Sequence, residues 1–190
     1  MIGIIGDEMK KVVDIAHDIL QSYIKDNCIA VDFTMGQGYD TLFFAQNKHV
    51  QQVFAFDIQQ DALQQTKQKL QECGVNQKVM CILDGHEHCK QYIESFDIGV
   101  FNFGYLPKGD ASITTQLVTS KQAVEQALSL LQKHGCLVLV LYPGHEQGVQ
   151  ESLYFDTWTQ TLSSKYYSVL YLKMHNKKNA PYIIAIEKVR

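Results

Sequence analysis

The order of apolar runs along the chain predicts an α/β fold: a mostly parallel, seven-stranded sheet with helices on both faces and an antiparallel C-terminal strand. Three observations carry this expectation. Five short apolar runs alternate with helical segments between residues 28 and 142, the pattern of parallel strands joined by crossovers. A glycine pair, Gly36 and Gly38, follows the first of those runs. Two β-rich runs, 166–174 and 181–189, then close the sequence with six residues between them, too few for a parallel crossover.

Each element has its own local reason. Apolar residues at Met9, Val12, Val13, Ala16, Ile19, Leu20 and Tyr23 recur at helical spacing, predicting a helix over 7–24 with Asp7 as N-cap. "CIAVDF" (28–33) is a short apolar run ending in a turn and reads as a buried strand. A short helix follows at 39–46, a second strand at 52–58, and a helix at 59–73 that Gly74 stops as a C′ glycine. Strands are expected at 78–83 and 96–103. A long helix over about 114–133 then meets the apolar run 134–142, which reads as a central strand. A helix near 147–163 carries the only tryptophan, Trp158, before the closing pair of β-rich runs. No internal repeat or linker interrupts the pattern, so residues 1–190 are expected to form one domain.

The composition excludes more than it selects. With 46% hydrophobic and 19% charged residues, the 190-residue chain is of ordinary globular type. No window approaches the roughly 18 uninterrupted apolar residues of a membrane span. The N-terminal "MIGIIGDEMKK" lacks a signal peptide's basic and then apolar regions, so a cytoplasmic protein is expected, with no membrane partner. The five cysteines are scattered without a CxxC pair, which indicates neither a disulfide framework nor a zinc knuckle. The net charge of −3 gives no global attraction to nucleic acid; RNA binding would need a local basic patch, and DNA is not expected.

The chemistry-bearing residues fall at predicted strand ends, where open α/β sheets bind their ligands. In "VDFTMGQGYDTLFFA" (31–45), Asp32 ends a strand and Thr34, Gly36 and Gly38 follow at alternate positions. A dinucleotide, a phosphate or S-adenosylmethionine can rest on such a turn. Thr41 stands where a dinucleotide motif would place its third glycine, and no Walker lysine follows. Asp57 ends the next strand, 19 residues after Gly38, where a carboxylate can accept hydrogen bonds from ribose hydroxyls; it can also simply complement a helix N-terminus. Asp84, Gly85 and His86 face the same crevice, with Asp84 suited either to an adenine amino group or to capping the next turn. His86, His88 and Cys89 lack the second ligand cluster that a metal site needs.

Beyond these lies "FNFGYLPKGD" (101–110), a polar platform leaving a buried strand. Asn102 can accept a hydrogen bond from an amine, and Tyr105 can stack on a base; an ordinary turn uses the same residue types. "YPGHEQG" (142–148) adds Tyr142, His145 and Glu146, with His145 suited to general base work. Lys173, His175, Lys177 and Lys178 make the turn between the last two β runs the one concentrated basic stretch.

"DFTMGQGYDTLFFA", "FDIQ", "FNFGYLPKGD", "YPGHEQG" and the terminal "NKKNAPYIIAIEK", taken in this order, resemble the YtqB/MnmM-like rRNA methylase family across essentially the whole chain. The resemblance implies a Rossmann-like class I methyltransferase fold, from which the antiparallel C-terminal pairing distinguishes an ordinary dehydrogenase sheet. It further implies S-adenosyl-L-methionine as methyl donor and the amine of 5-aminomethyl-2-thiouridine at the tRNA wobble position as acceptor, in a homodimeric enzyme contacting the anticodon region. The residues it assigns to the donor are Asp32, Thr34, Gly36, Gln37, Gly38, Asp40, Thr41, Asp57, Ile58, Gln59, Asp84, Gly85, His86 and Asn102. Asn102 and Tyr105 would orient the acceptor, and His145 would take its proton. Phe33 and Phe103 stand where relatives often carry alanine and leucine, with local repacking expected. Methylation of rRNA or a small molecule, or NAD-dependent oxidoreduction, remain the alternatives.

Overall fold

The computed structural model describes residues 4–5, 8–104 and 114–190. Two short strands, β1 (Ile4–Ile5) and β2 (Glu8–Met9), pair antiparallel at the start. Helix α1 runs Val12–Gln21, later than the expected start at residue 7, because Glu8 and Met9 are paired to β1 and Lys11 takes the N-cap position. The expected cap, Asp7, lies outside the described residues.

The remaining strands form one sheet: β3 (Cys28–Asp32), β4 (Val50–Asp57), β5 (Val79–Leu83), β6 (Phe96–Asn102), β7 (Leu131–Leu141), β8 (Tyr167–Lys173) and β9 (Tyr182–Lys188). Their order is β5-β4-β3-β6-β7-β9-β8. Strands β3 to β7 are parallel, and β9 inserts antiparallel between β7 and β8. The sheet is thus the seven-stranded, mostly parallel one expected.

Helices α2 (Tyr39–Gln46), α3 (Gln60–Glu72), α4 (Leu117–Leu130) and α5 (Glu146–Gln160) complete the two outer layers. The period-two alternation of strand side chains sorts β7 between the layers. Leu137, Leu139 and Leu141 pack with α4 and α5, through Ala123, Val124 and Phe155. Cys136, Val138 and Val140 pack with α1 and α2, through Ile15, Ala16, Ile19 and Phe44. Helix α3 ends as its glycine required: Gly74 has φ +67°, and its N–H donates to the Gln71 carbonyl. Strand β7 starts at Leu131, inside the segment expected to be helical, because Leu131 pairs with Phe96; the register then shifts beside His134, which adopts φ +61°.

Phe33 does not disturb this packing. It stacks on Phe101 at 4.2 Å, and Phe101, Phe103 and Phe155 continue the ladder at 5.3 Å spacings. Each ring therefore supports its neighbour beneath the carboxyl edge of β3 and β6.

Candidate active site

Strand β3 lies between β4 and β6, so the crossovers leave it in opposite directions and open a crevice at its carboxyl end. A cavity of about 1070 Å³ occupies that edge. It stands at the top of the range for small-molecule sites, roughly 300–1,000 Å³. There is room for two ligand groups side by side.

One wall comes from the loops after β3, β4 and β5. Gly36 (φ +49°) and Gly38 (φ +76°) adopt left-handed conformations, which turn the chain tightly from β3 into α2. Gly36 N–H donates to Asp57 Oδ2 at 2.9 Å, and Gln59 N–H donates to Asp57 Oδ1 at 2.9 Å. Asp57 thereby ties the glycine loop to the end of β4, and burial raises its carboxyl above the usual aspartate range. A carboxylate has lone pairs for about four hydrogen bonds, so beside the Gly36, Ile58 and Gln59 N–H groups Asp57 keeps capacity for about one ligand hydroxyl. Ile58, 63% exposed, offers an apolar side chain at the same edge.

Asp32 and Thr41 stand behind this wall. Asp32 is fully buried and accepts from Thr34 N–H at 3.1 Å and from the Thr41 hydroxyl at 2.6 Å. Burial and the neighbouring Asp40 raise its pKa. The hydroxyl of Thr41 explains the absent third glycine: this turn needs a donor for a buried carboxyl. Asp32, Gly38 and Thr41 shape the loop and do not line the cavity. Thr34, Gly36, Gln37, Asp40, Asp57, Ile58, Gln59, Asp84, Gly85, His86, Asn102 and His145 do.

Asp84 is held by three donors: Gly85 N–H, His88 Nδ1 and the Tyr92 hydroxyl, each at 2.8 Å. These bonds, His88 foremost, lower its pKa. His86 donates from Nδ1 to the Phe33 carbonyl at 3.1 Å, which leaves Nε2 as the acceptor nitrogen of the neutral ring. Burial lowers the His86 pKa and favours that neutral form.

The opposite wall is a chain of side-chain hydrogen bonds. Asn102 N–H donates to Thr34 Oγ1 at 2.7 Å, and Asn102 Nδ2 donates to Asp40 Oδ2 at 3.2 Å. Asp40 Oδ1 accepts from His17 Nε2 at 2.6 Å, and the His17 ring stacks on Phe43 at 4.0 Å. Tyr142 joins through a side-chain hydrogen bond with Asn102; burial and Asp40 push its hydroxyl up to about 12. Val13, Asp14, Asn179 and Pro181 complete this side.

His145 acts as the N-cap of α5, its Nδ1 accepting from Gly148 N–H at 3.1 Å. Taking a substrate proton at Nδ1 would forfeit that cap. Tyr105 lies outside the described residues. Two further lining residues, His17 and Asp14, belong to no motif of the sequence. They sit on a helix preceding the first large strand, and only the i, i+4 placement of Val13 and His17 on one face hinted that they border a common surface. Lys173 at the end of β8 and His175, Lys177 and Lys178 on the β8–β9 connection are exposed, and Asn179 and Pro181 of that connection line the cavity.

A family model described as "Putative rRNA methylase" matches residues 53–187. The chain belongs to this family. It is 30% identical over 193 residues to the tRNA (mnm(5)s(2)U34)-methyltransferase, chloroplastic, of Arabidopsis thaliana, across 94% of this chain and 70% of the relative. Among solved structures it resembles a "putative rRNA-methylase" from Clostridium thermocellum, with a TM-score of 0.90 and 33% identity over 95% of this chain and 99% of that one. It also resembles SMU.1697c of Streptococcus mutans, described as "a putative methyltransferase" and solved in complex with SAH. There the TM-score is 0.86 and the identity 31%, over 95% of this chain and 99% of that one. The fold is that of the class I methyltransferases, and the chain is a methyltransferase of the rRNA/tRNA methylase kind. Among the described residues, no helix is long and apolar enough to cross a membrane.

Proposed function

We propose that this chain transfers the methyl group of S-adenosylmethionine to the amine of 5-aminomethyl-2-thiouridine at the tRNA wobble position, giving 5-methylaminomethyl-2-thiouridine. The observation that carries the reading is the two-walled cavity. A carboxylate-braced glycine loop faces an Asn102–Asp40–Tyr142 wall suited to an amine. The similarity to the Arabidopsis enzyme supports the same acceptor.

The residues present fit the methyl donor. The left-handed glycine turn brings backbone close to a ligand, Asp57 has acceptor capacity for a ribose, and Ile58 offers an apolar face for a base. Gly85 and His86 border the base end, with His86 Nε2 able to accept from an amino group. When bound, S-adenosylmethionine supplies an electrophilic methyl group on a sulfonium.

The chain's own contribution is alignment and handling of the amine. An alkylamine is mostly protonated at neutral pH, as a lysine is with its pKa near 10.4. It would have to give one proton to water in the cavity before its nitrogen pair could form the new N–C bond as the C–S pair returned to sulfur. Asn102 holds the amine in line, and the confined site replaces a bimolecular encounter with a fixed approach. The exposed Lys173, Lys177 and Lys178, a few residues from the cavity-lining Asn179, fit the phosphate backbone of an anticodon arm. A homodimer belongs to the same proposal, and light scattering of the purified protein reads it.

Purified protein incubated with undermodified tRNA and labelled S-adenosylmethionine should label one nucleoside, which mass spectrometry identifies as 5-methylaminomethyl-2-thiouridine. Label in rRNA alone, or in no RNA, overturns the acceptor. Thermal stabilisation by NAD but not by S-adenosylhomocysteine would overturn the donor.

A further inference from the structure

We propose that His17 is a positioning residue of the methyl transfer: by clamping Asp40 it fixes the Asn102 amide with its carbonyl oxygen turned to the acceptor amine. The inference rests on the function proposed above and assigns a role to a helix that precedes every strand of the large sheet.

A carboxylate only accepts, so Asp40 Oδ2 at 3.2 Å must face the NH₂ end of Asn102. That contact decides which way the amide points. Asn102 is also hydrogen-bonded to Tyr142, while its backbone N–H is taken by Thr34. Both side-chain contacts fall at the NH₂ end, Asn102 donating to Asp40 and to the Tyr142 oxygen, and the carbonyl oxygen is left as the group that accepts an N–H from the substrate.

Asp40 can do this only while its own carboxylate is held. Its second oxygen accepts from His17 Nε2 at 2.6 Å, shorter than the roughly 2.7–2.9 Å of typical charge-assisted pairs. The His17 ring is in turn fixed by stacking on Phe43 at 4.0 Å, with 2° between the planes. Asp40 is 7% exposed, so losing its partner would leave a nearly buried carboxylate one hydrogen bond short and free to rotate away from Asn102. His17, Asp40, Asn102 and Tyr142 all line the one cavity. They come from four separate elements, and a hydrogen-bonded chain across all of them is more than the packing of α1 requires.

The test compares His17→Ala with His17→Gln, using wild-type turnover on undermodified tRNA as reference. His17→Ala should lower kcat about 30-fold, while the tRNA KM and the Kd for S-adenosylhomocysteine stay within about twofold. His17→Gln, whose amide N–H can reach Asp40, should recover most of that loss. Thermal melting with and without S-adenosylhomocysteine confirms that both variants are folded. Unchanged kcat in His17→Ala overturns the inference. Equal inactivity of the glutamine variant does the same, as does a parallel loss of S-adenosylhomocysteine affinity. Should His17→Ala prove unstable, Phe43→Leu, which removes the stacking ring alone, gives the second reading: a several-fold fall in kcat supports the inference, and none overturns it. Absence of wild-type turnover with S-adenosylhomocysteine still bound would instead defeat the acceptor reading.

Discussion

On the proposed donor side of the cavity, most lining groups come from one short stretch, Thr34 to Gln59, and much of the construction is backbone: two left-handed glycines and amides tied to Asp57. On the proposed acceptor side, the groups come from α1, α2 and the ends of β6 and β7, and the construction is side chain to side chain. A backbone-built wall is set once the strands pair. A side-chain wall depends on every member being present, and losing one leaves a buried partner unsatisfied. The donor wall should therefore respond to substitution through affinity and stability, and the acceptor wall through turnover.

The sharpest break is expected on the acceptor side. Asn102→Ala should lower kcat about 100-fold while S-adenosylhomocysteine binding, measured by calorimetry, stays within about threefold. Equal loss of both would erase the distinction between the walls. On the donor side, Asp57→Ala should weaken S-adenosylhomocysteine about 30-fold, roughly 2 kcal/mol, because a charged acceptor and two loop ties are lost together. Unaltered affinity would remove Asp57 from the donor site.

A smaller effect tests the backbone directly. Gly38→Ala places a side chain at φ +76°, with its methyl 2.5 Å from Thr66 Oγ1. Left-handed strain of about 1–2 kcal/mol, plus movement of Thr66, should lower Tm by about 2–8 °C. The smallest effect is in pH dependence. Asp32 has a folded pKa raised by burial and Asp40, so the folded state holds its proton more tightly than the unfolded chain. Its contribution to stability is full below about pH 4, the unfolded carboxylate's pKa, and is lost as pH rises through the folded value. Melting of Asp32→Asn across that range should show a flatter profile than the parent by a few degrees.

Legibility in the sequence follows the same divide. The sheet could be read because β3, β4, β5, β6 and β7 are local apolar runs, and the six-residue gap before β9 forced an antiparallel pairing. The glycine loop could be read because its residues are neighbours in the chain. His17 could not, since its meaning depends on Asp40, 23 residues away, and on Asn102 beyond it. Thr41 was legible only as a missing glycine; its use as a donor to Asp32 needed the three-dimensional turn. The strand start at Leu131 was hidden for the same kind of reason, because pairing with Phe96 outweighs local helix preference there.

The insertion of β9 between β7 and β8 has a consequence for how the molecule is made. Tyr182, Ile183, Ile184, Ala185 and Ile186 are all buried, yet a ribosome adds them after every other strand of the sheet. Until they emerge, the apolar edge of β7 has no partner on that side, and β8 has nothing to pair with. Closure of the sheet must wait for β9, and a synthesis arrested before residue 182 leaves an open strand edge of the kind that pairs with other chains.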